Sequence, residues 1–193
     1  GNQVIFTTTP LLMPDSLKAA LKYPEVQILN CSLNYAWKSI PTYYARMYEV
    51  KFLTGLIAGS MAKGENIGYE TDYPIYGNIA NINAFAIGVA MVNPNIKIYL
   101  NWTSGKEDKK TADTEQLAVV SAKDMISADG YNRRFGLYSN KNGEILNIAT
   151  SVLDWGIFYE KIIQQMLDGT WKRVSDKETV SRNYWWGLSA GVE

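Results

Sequence analysis

The chain contains no histidine among its 193 residues. That removes the imidazole-based nucleophile pairs, imidazole zinc ligation and the default general base near neutral pH. A single cysteine, Cys31, excludes an internal disulfide. It lies in the apolar stretch ILNCSL and reads as a buried, inert thiol. No apolar run reaches the roughly 18–20 residues that a membrane-crossing helix needs. The longest, LTGLIAG and AFAIGVAMV, are short and contain glycine. Neither charge sign is in excess, with 19 Lys and Arg against 19 Asp and Glu. The balance leaves no electrostatic footprint for nucleic acid or acidic lipid. No repeat, low-complexity tract or secretory leader is recognisable.

What is present points to a globular chain with a real core: 47% apolar residues and 20% charged. The 13 tyrosines and 6 tryptophans have apolar bodies and polar tips suited to half-wet sites. Apolar runs at 4–6, 26–33, 67–69, 96–102, 117–125 and 135–139 read as strands. Between them lie helical patterns. PDSLKAALKYP gives a short helix with Asp15 or Ser16 as N-cap. Tyr48, Phe52, Leu56 and Gly59 carry a longer one over 44–63, and Ile82, Phe85, Ala86, Val89 and Ala90 another over 78–92. A last helix covers 155–167, and NYWWGL near the end reads as strand and core.

Strands alternating with helices imply right-handed crossovers and parallel sheets, whose strands are apolar on both faces. Ligands then bind beyond the carboxyl ends of the strands. The residues expected there include Thr8 and Thr9, Asn30, Asp72 and Tyr73, Trp102, Asp124 and Tyr138. They combine hydrogen-bonding groups with flat aromatic surface, which suits a small polar molecule with a planar part. Asp72 either bonds a ligand hydroxyl or caps the following helix. Asp124 either holds vicinal hydroxyls or pairs with Lys123 or Arg134. A nucleoside-acting enzyme would need clustered carboxylates, and Asp72, Asp124 and Asp154 fall in no metal-ligand spacing. The residues therefore favour a binding module without cofactor or metal over an enzyme.

The segments TYYARMYEVKFLTGLIAGSMA, IGYETDYPIYGNIANINAFAIGVAMVNPNIKIYLNW, FGLY, WGIFYEKIIQQMLDGTWK and NYWWGLSAGV resemble the basic membrane protein family. These are bacterial substrate-binding lipoproteins of ABC transporters, of the purine nucleoside receptor A type. The resemblance implies the α/β type I periplasmic-binding-protein fold, two parallel-sheet lobes joined by a hinge with the ligand between them. It implies the end of lobe one at 1–40, lobe two at 41–147 and a return into lobe one at 148–193, so that lobe one is incomplete. It further implies a nucleoside-like ligand, ABC permease partners, and a bacterial cell-surface or periplasmic location through an N-terminal lipid upstream of this chain. A sensory or structural domain of the same fold is the alternative reading.

Two departures bear on the ligand contacts. Relatives that bind nucleosides place a lysine shortly after the TSV motif, where this chain has Asp154 and Trp155. The aspartate expected near the GxD strand end is absent, and GLYSN offers Tyr138. Trp155 and Tyr138 thus stand as aromatic walls beside Trp102. Replacing Trp102 by alanine is expected to weaken nucleoside binding about tenfold or more by removing a stacking surface. Isothermal titration checks this, and an unchanged affinity would place Trp102 outside the site.

Overall fold

A computed structural model describes residues 1–33, 40–104, 114, 117–122, 134–171 and 182–193. The chain divides into two compact units, Gly1–Arg46 with Leu153–Glu193, and Met47–Val152. It passes between them twice, at 46–47 and at 152–153.

The first unit is built on a four-stranded sheet in the order β1-β2-β3-β9, with β1 Val4–Thr7, β2 Gln27–Cys31, β3 Thr42–Ala45 and β9 Asn183–Trp186. All three pairings are parallel. Helix α1, Met13–Lys22, joins β1 to β2, and α4, Trp155–Leu167, precedes β9 in the chain. Alternation along the strands puts Phe6, Tyr43, Tyr184 and Trp186 on one face. They meet Phe158 of α4 there, at ring-centroid distances of 6.2, 4.8, 5.7 and 4.9 Å. Edge-on and stacked rings at such distances each add about 0.5–1.5 kcal/mol beyond burial. NYWWGL is accordingly strand β9 with its Tyr184 and Trp186 rings in this aromatic core.

Two local expectations change. The helical pattern from residue 44 gives way at its start to strand β3, because Thr42, Tyr43 and Tyr44 pair with β2 and β9. Aromatic and β-branched residues suit a half-buried pleated surface, and tertiary pairing overrides the helical period. Residues 42–45 therefore lie in the first unit, not at the start of the second lobe. Helix α1 begins at Met13 with Leu12 as its N-cap and no side-chain cap. Ser16 lies inside its first turn and donates to the Leu12 carbonyl at 2.7 Å.

The second unit carries a five-stranded sheet, order β5-β4-β6-β7-β8. Its strands are β4 Ile67–Thr71, β5 Ile98–Trp102, β6 Val119–Ser121, β7 Leu137–Lys141 and β8 Glu144–Ala149. β4 is parallel to β5 and β6. The sheet is not parallel throughout: β6–β7 and β7–β8 are antiparallel. The turn from β7 into β8 is made by a two-residue loop, Asn142-Gly143, with φ of 53° and 88°. Positive φ at both positions matches the right-handed twist of a hairpin, and Asn-Gly is the favoured pair for it.

Helices α2, Met47–Met61, and α3, Tyr76–Val92, pack on each other and on this sheet. Phe85, Val89, Ala58 and Ala62 join Ile67, Tyr69, Val119 and Leu137 in one core. The helices touch backbone to backbone. A Cβ on Gly88 would sit 2.3 Å from the Phe52 carbonyl oxygen, and one on Gly55 2.3 Å from that of Phe85. No rotamer relieves a clash with a main-chain oxygen. Gly88→Ala is therefore expected to destabilise the protein by about 1–3 kcal/mol through overpacking. Urea unfolding followed by circular dichroism measures this, and an unchanged midpoint would refute the close contact.

Candidate functional site

In the first unit, Thr7, Asn30, Thr42 and Asn183 are register neighbours across all four strands. They form one polar row on the face opposite the aromatic cluster. Asn30 is fully buried, at 0% exposure. Its Nδ2 donates to Thr7 Oγ1 at 2.7 Å and to the Thr9 carbonyl at 2.9 Å. Both amide hydrogens are then engaged, and the amide is fixed in orientation. Its Oδ1 is buried with no hydrogen-bond partner among the described residues, and so is the Ser32 hydroxyl on the same side of the chain two residues later. A buried acceptor left unmatched costs about 1–3 kcal/mol. These atoms, at the carboxyl end of β2, are suited to donors from a bound molecule or ordered water.

The β1 turn lies directly above. Thr9 Oγ1 accepts from the Leu11 amide at 3.4 Å and starts a 3-10 turn at residues 10–12. Thr8 is exposed, and its hydroxyl makes no internal hydrogen bond to the described residues. On the other face Tyr43 is 1% exposed. Its hydroxyl donates to the Thr7 carbonyl at 3.1 Å and meets the Tyr159 hydroxyl at 3.1 Å. Burial pushes the Tyr43 phenol well above its ordinary range, so it stays protonated. Trp155 opens α4, half-buried, edge-on to Tyr43 at 5.1 Å. Asp154 just ahead of it caps the helix by accepting from the Gly156 amide at 3.1 Å. The departure from the TSV-lysine pattern thus has a structural role of its own here.

In the second unit the carboxyl ends of β4 and β5 carry Asp72, Tyr73 and Trp102. Asp72 does not cap α3, whose N-cap is Ile75 without a side-chain bond. Its Oδ1 instead accepts from Thr103 Oγ1 at 2.8 Å, and its carbonyl accepts from Ser104 Oγ. Asp72 is thereby clamped to the loop after β5. Tyr73 is 60% exposed, and its carbonyl accepts from Asn78 Nδ2 at 2.8 Å. Trp102 is half-buried and pairs with Thr71 in the sheet.

Tyr138 does not form an aromatic wall. It lies on the antiparallel strand β7, is 1% exposed, and packs with Val120, Ala122, Leu117 and Ile145. Asp124 lies outside the described residues. Within the first unit the structure brings Asn30 and Thr9 together beside Thr8, with Trp155 on the other face against Tyr43, and within the second it brings together Asp72, Tyr73 and Trp102. Among the described residues no group of three or more Cys, Asp and Glu is placed to hold a metal. Ser32, Tyr43 and Thr103 have no signal in the sequence, since strand pairing brings them to these edges, and Tyr159 reaches Tyr43 across the packing of α4 on the sheet.

Cys31 follows Asn30, and burial pushes its thiol up from an ordinary 9.0 to about 11. The folded state therefore holds this proton more tightly than the unfolded chain. The associated stability is complete below pH 9.0 and is lost as pH rises towards about 11. Thiol-reactive dye is expected to label the folded protein far more slowly at pH 8 than a free cysteine, with the rate climbing towards pH 11. Labelling at pH 8 as fast as free cysteine would contradict the burial.

Comparison with known proteins matches residues 1–132 to the family described as ABC transporter substrate-binding protein, PnrA-like. A purine-binding protein of Brucella abortus is 29% identical over 207 aligned residues, covering 100% of this chain and 57% of the relative. A putative ABC transporter glucose-binding protein of Haloferax volcanii is 24% identical, covering 98% of this chain and 50% of the relative. The chain thus spans about half the length of these relatives. Among solved structures, an ABC transporter solute-binding protein from Conexibacter woesei aligns with a TM-score of 0.67 at 16% identity, over 100% of this chain and 68% of that one. A transcriptional activator from Bacillus halodurans gives the same TM-score at 15% identity, over 100% and 70%. These likenesses establish the fold, the α/β periplasmic-binding-protein type. With residues 1–132 of its 193 matched, the chain belongs to the basic membrane protein, or PnrA-like, family of ABC transporter substrate-binding proteins.

Proposed function

We propose that this chain captures a small, polar, nucleoside-like solute for an ABC transporter and carries out no chemistry on it. The two units serve as the two lobes. The observation that carries the reading is Asn30. Its amide nitrogen is held by Thr7 and Thr9, and its buried carbonyl oxygen has no partner among the described residues. Such an oxygen is an acceptor preset for an N–H or O–H of a ligand. Thr8 and Thr9 supply further polar contacts in the same unit, and the second unit carries Asp72, Tyr73 and Trp102 at its own strand ends. Trp155 adds a ring edge beside Tyr43.

One neutral hydrogen bond is worth about 0.5–1.5 kcal/mol net, whereas micromolar binding needs about −8 kcal/mol. Several contacts and a stacked ring must therefore act together. The purine-binding relative supports a nucleobase as the planar part. In the parent protein the chain acts outside the cytoplasmic membrane, held by an N-terminal lipid, and delivers its ligand to the permease subunits. The glucose-binding relative supports a second reading, a sugar on the same acceptors. The likeness to a transcriptional activator concerns the fold alone and assigns no sensory role.

Thermal-shift screening against purine nucleosides, free purines and glucose tests the proposal. Ligand at a hundred times its Kd stabilises by about 2.7 kcal/mol, a shift of about 5–11 °C. A shift with a nucleoside or purine supports the first reading, and a shift with glucose alone the second. No shift with any of them would sink both. Release of free base from a nucleoside would overturn the assignment as a non-enzyme.

A further inference from the structure

The Tyr43–Tyr159 contact has a direction. A phenol has one proton to give, and Tyr43 gives its proton to the Thr7 carbonyl at 3.1 Å. Its 3.1 Å contact with Tyr159 is then a bond in which Tyr159 donates. The relay runs from Tyr159 on α4, through Tyr43 on β3, to the last carbonyl of β1. From the opposite face of the sheet Asn30 Nδ2 holds Thr7 Oγ1 and the Thr9 carbonyl. The residue ahead of Thr8 and the one after it are thus fixed from two sides, while Thr8 stays exposed. Tyr159 lies one turn beyond Trp155, their rings stacked at 6.5 Å and 20°. Trp155 is also edge-on to Tyr43. A phenylalanine ring would fill the Tyr43 site equally well, so packing does not account for either hydroxyl.

We infer that Tyr43 and Tyr159 are positioning residues, whose hydroxyl relay sets the Thr8–Thr9 turn and the Trp155 ring as one preformed part of the ligand site. This rests on the solute-binding function proposed above. It adds that affinity depends on two hydroxyls that need not touch the ligand. A preset turn lowers the ordering cost of binding.

The test uses Tyr43→Phe and Tyr159→Phe in the whole chain, with two readouts. Hydrogen exchange is measured without ligand. The expected result is exchange about fivefold faster at the amides of residues 8, 9, 11 and 12, with the rest of the first unit and the second unit unchanged. Unchanged exchange at the turn, or a uniform rise across the first unit, would overturn the relay. This readout decides the relay even if the wild type binds no nucleoside, purine or glucose, an outcome that would defeat only the functional reading. The second readout is affinity for guanosine by titration calorimetry. Tyr43→Phe is expected to weaken it about fivefold in the wild type and far less in a Thr8→Ala background. Equal weakening in both backgrounds would show that Tyr43 acts on general stability and not through the turn.

Discussion

The candidate site of the first unit depends on one buried carboxamide. Asn30 gives both amide hydrogens to the β1 turn, one to a side chain and one to a carbonyl. Those two bonds fix the turn, and they also fix which end of the amide is left over. Without them the amide could flip, and the site would present a donor or an acceptor at random. With them it presents an oxygen only. Two strands paired in register are needed to bring Thr7 beside Asn30, so the sheet is what makes the amide selective.

The two units reach the same end, strand ends presenting polar groups, by different means. The first relies on aromatic mass. Phe6, Tyr43, Phe158 and Tyr159 pack behind β1, and a ring cluster resists deformation because each ring is held by several others. The second relies on the absence of side chains. Gly55 and Gly88 let α2 and α3 meet at the backbone, and that pair covers the β4 face carrying Ile67 and Tyr69. Its edge is then tied by short polar bonds from Thr103 and Ser104 to Asp72. Rigid scaffolds with polar loops at one edge are where α/β proteins place ligand contacts.

Much of this was legible in the sequence. Apolar runs mark β2, β4 and β5, helical spacing marks α3 and α4, and Asn30 and Asp72 do lie at strand carboxyl ends. The failures have particular causes. Residues 44–45 carried a helical period, but Thr42 and Tyr43 had strand partners about 140 residues away in the chain, at Asn183 and Tyr184. No local window contains that pairing. Tyr138 was placed at a strand's carboxyl end on the assumption of a parallel sheet. The Asn-Gly pair at 142–143, which does lie in the sequence, turns β8 back on β7, and β7 itself runs against β6. The sequence leaves Asp72 between two roles, and the Thr103 hydroxyl that it holds comes from the neighbouring strand's loop. The unpartnered oxygen of Asn30 could not be read at all, because satisfaction is a property of neighbours in space.

The account turns on what meets that oxygen. A crystal structure of the protein with a bound purine nucleoside tests it most directly. The account predicts a ligand N–H or O–H within about 3.2 Å of Asn30 Oδ1, with the Asn30 bonds to Thr7 and Thr9 retained. A nucleoside bound elsewhere, with only ordered water on Asn30 Oδ1, would contradict it.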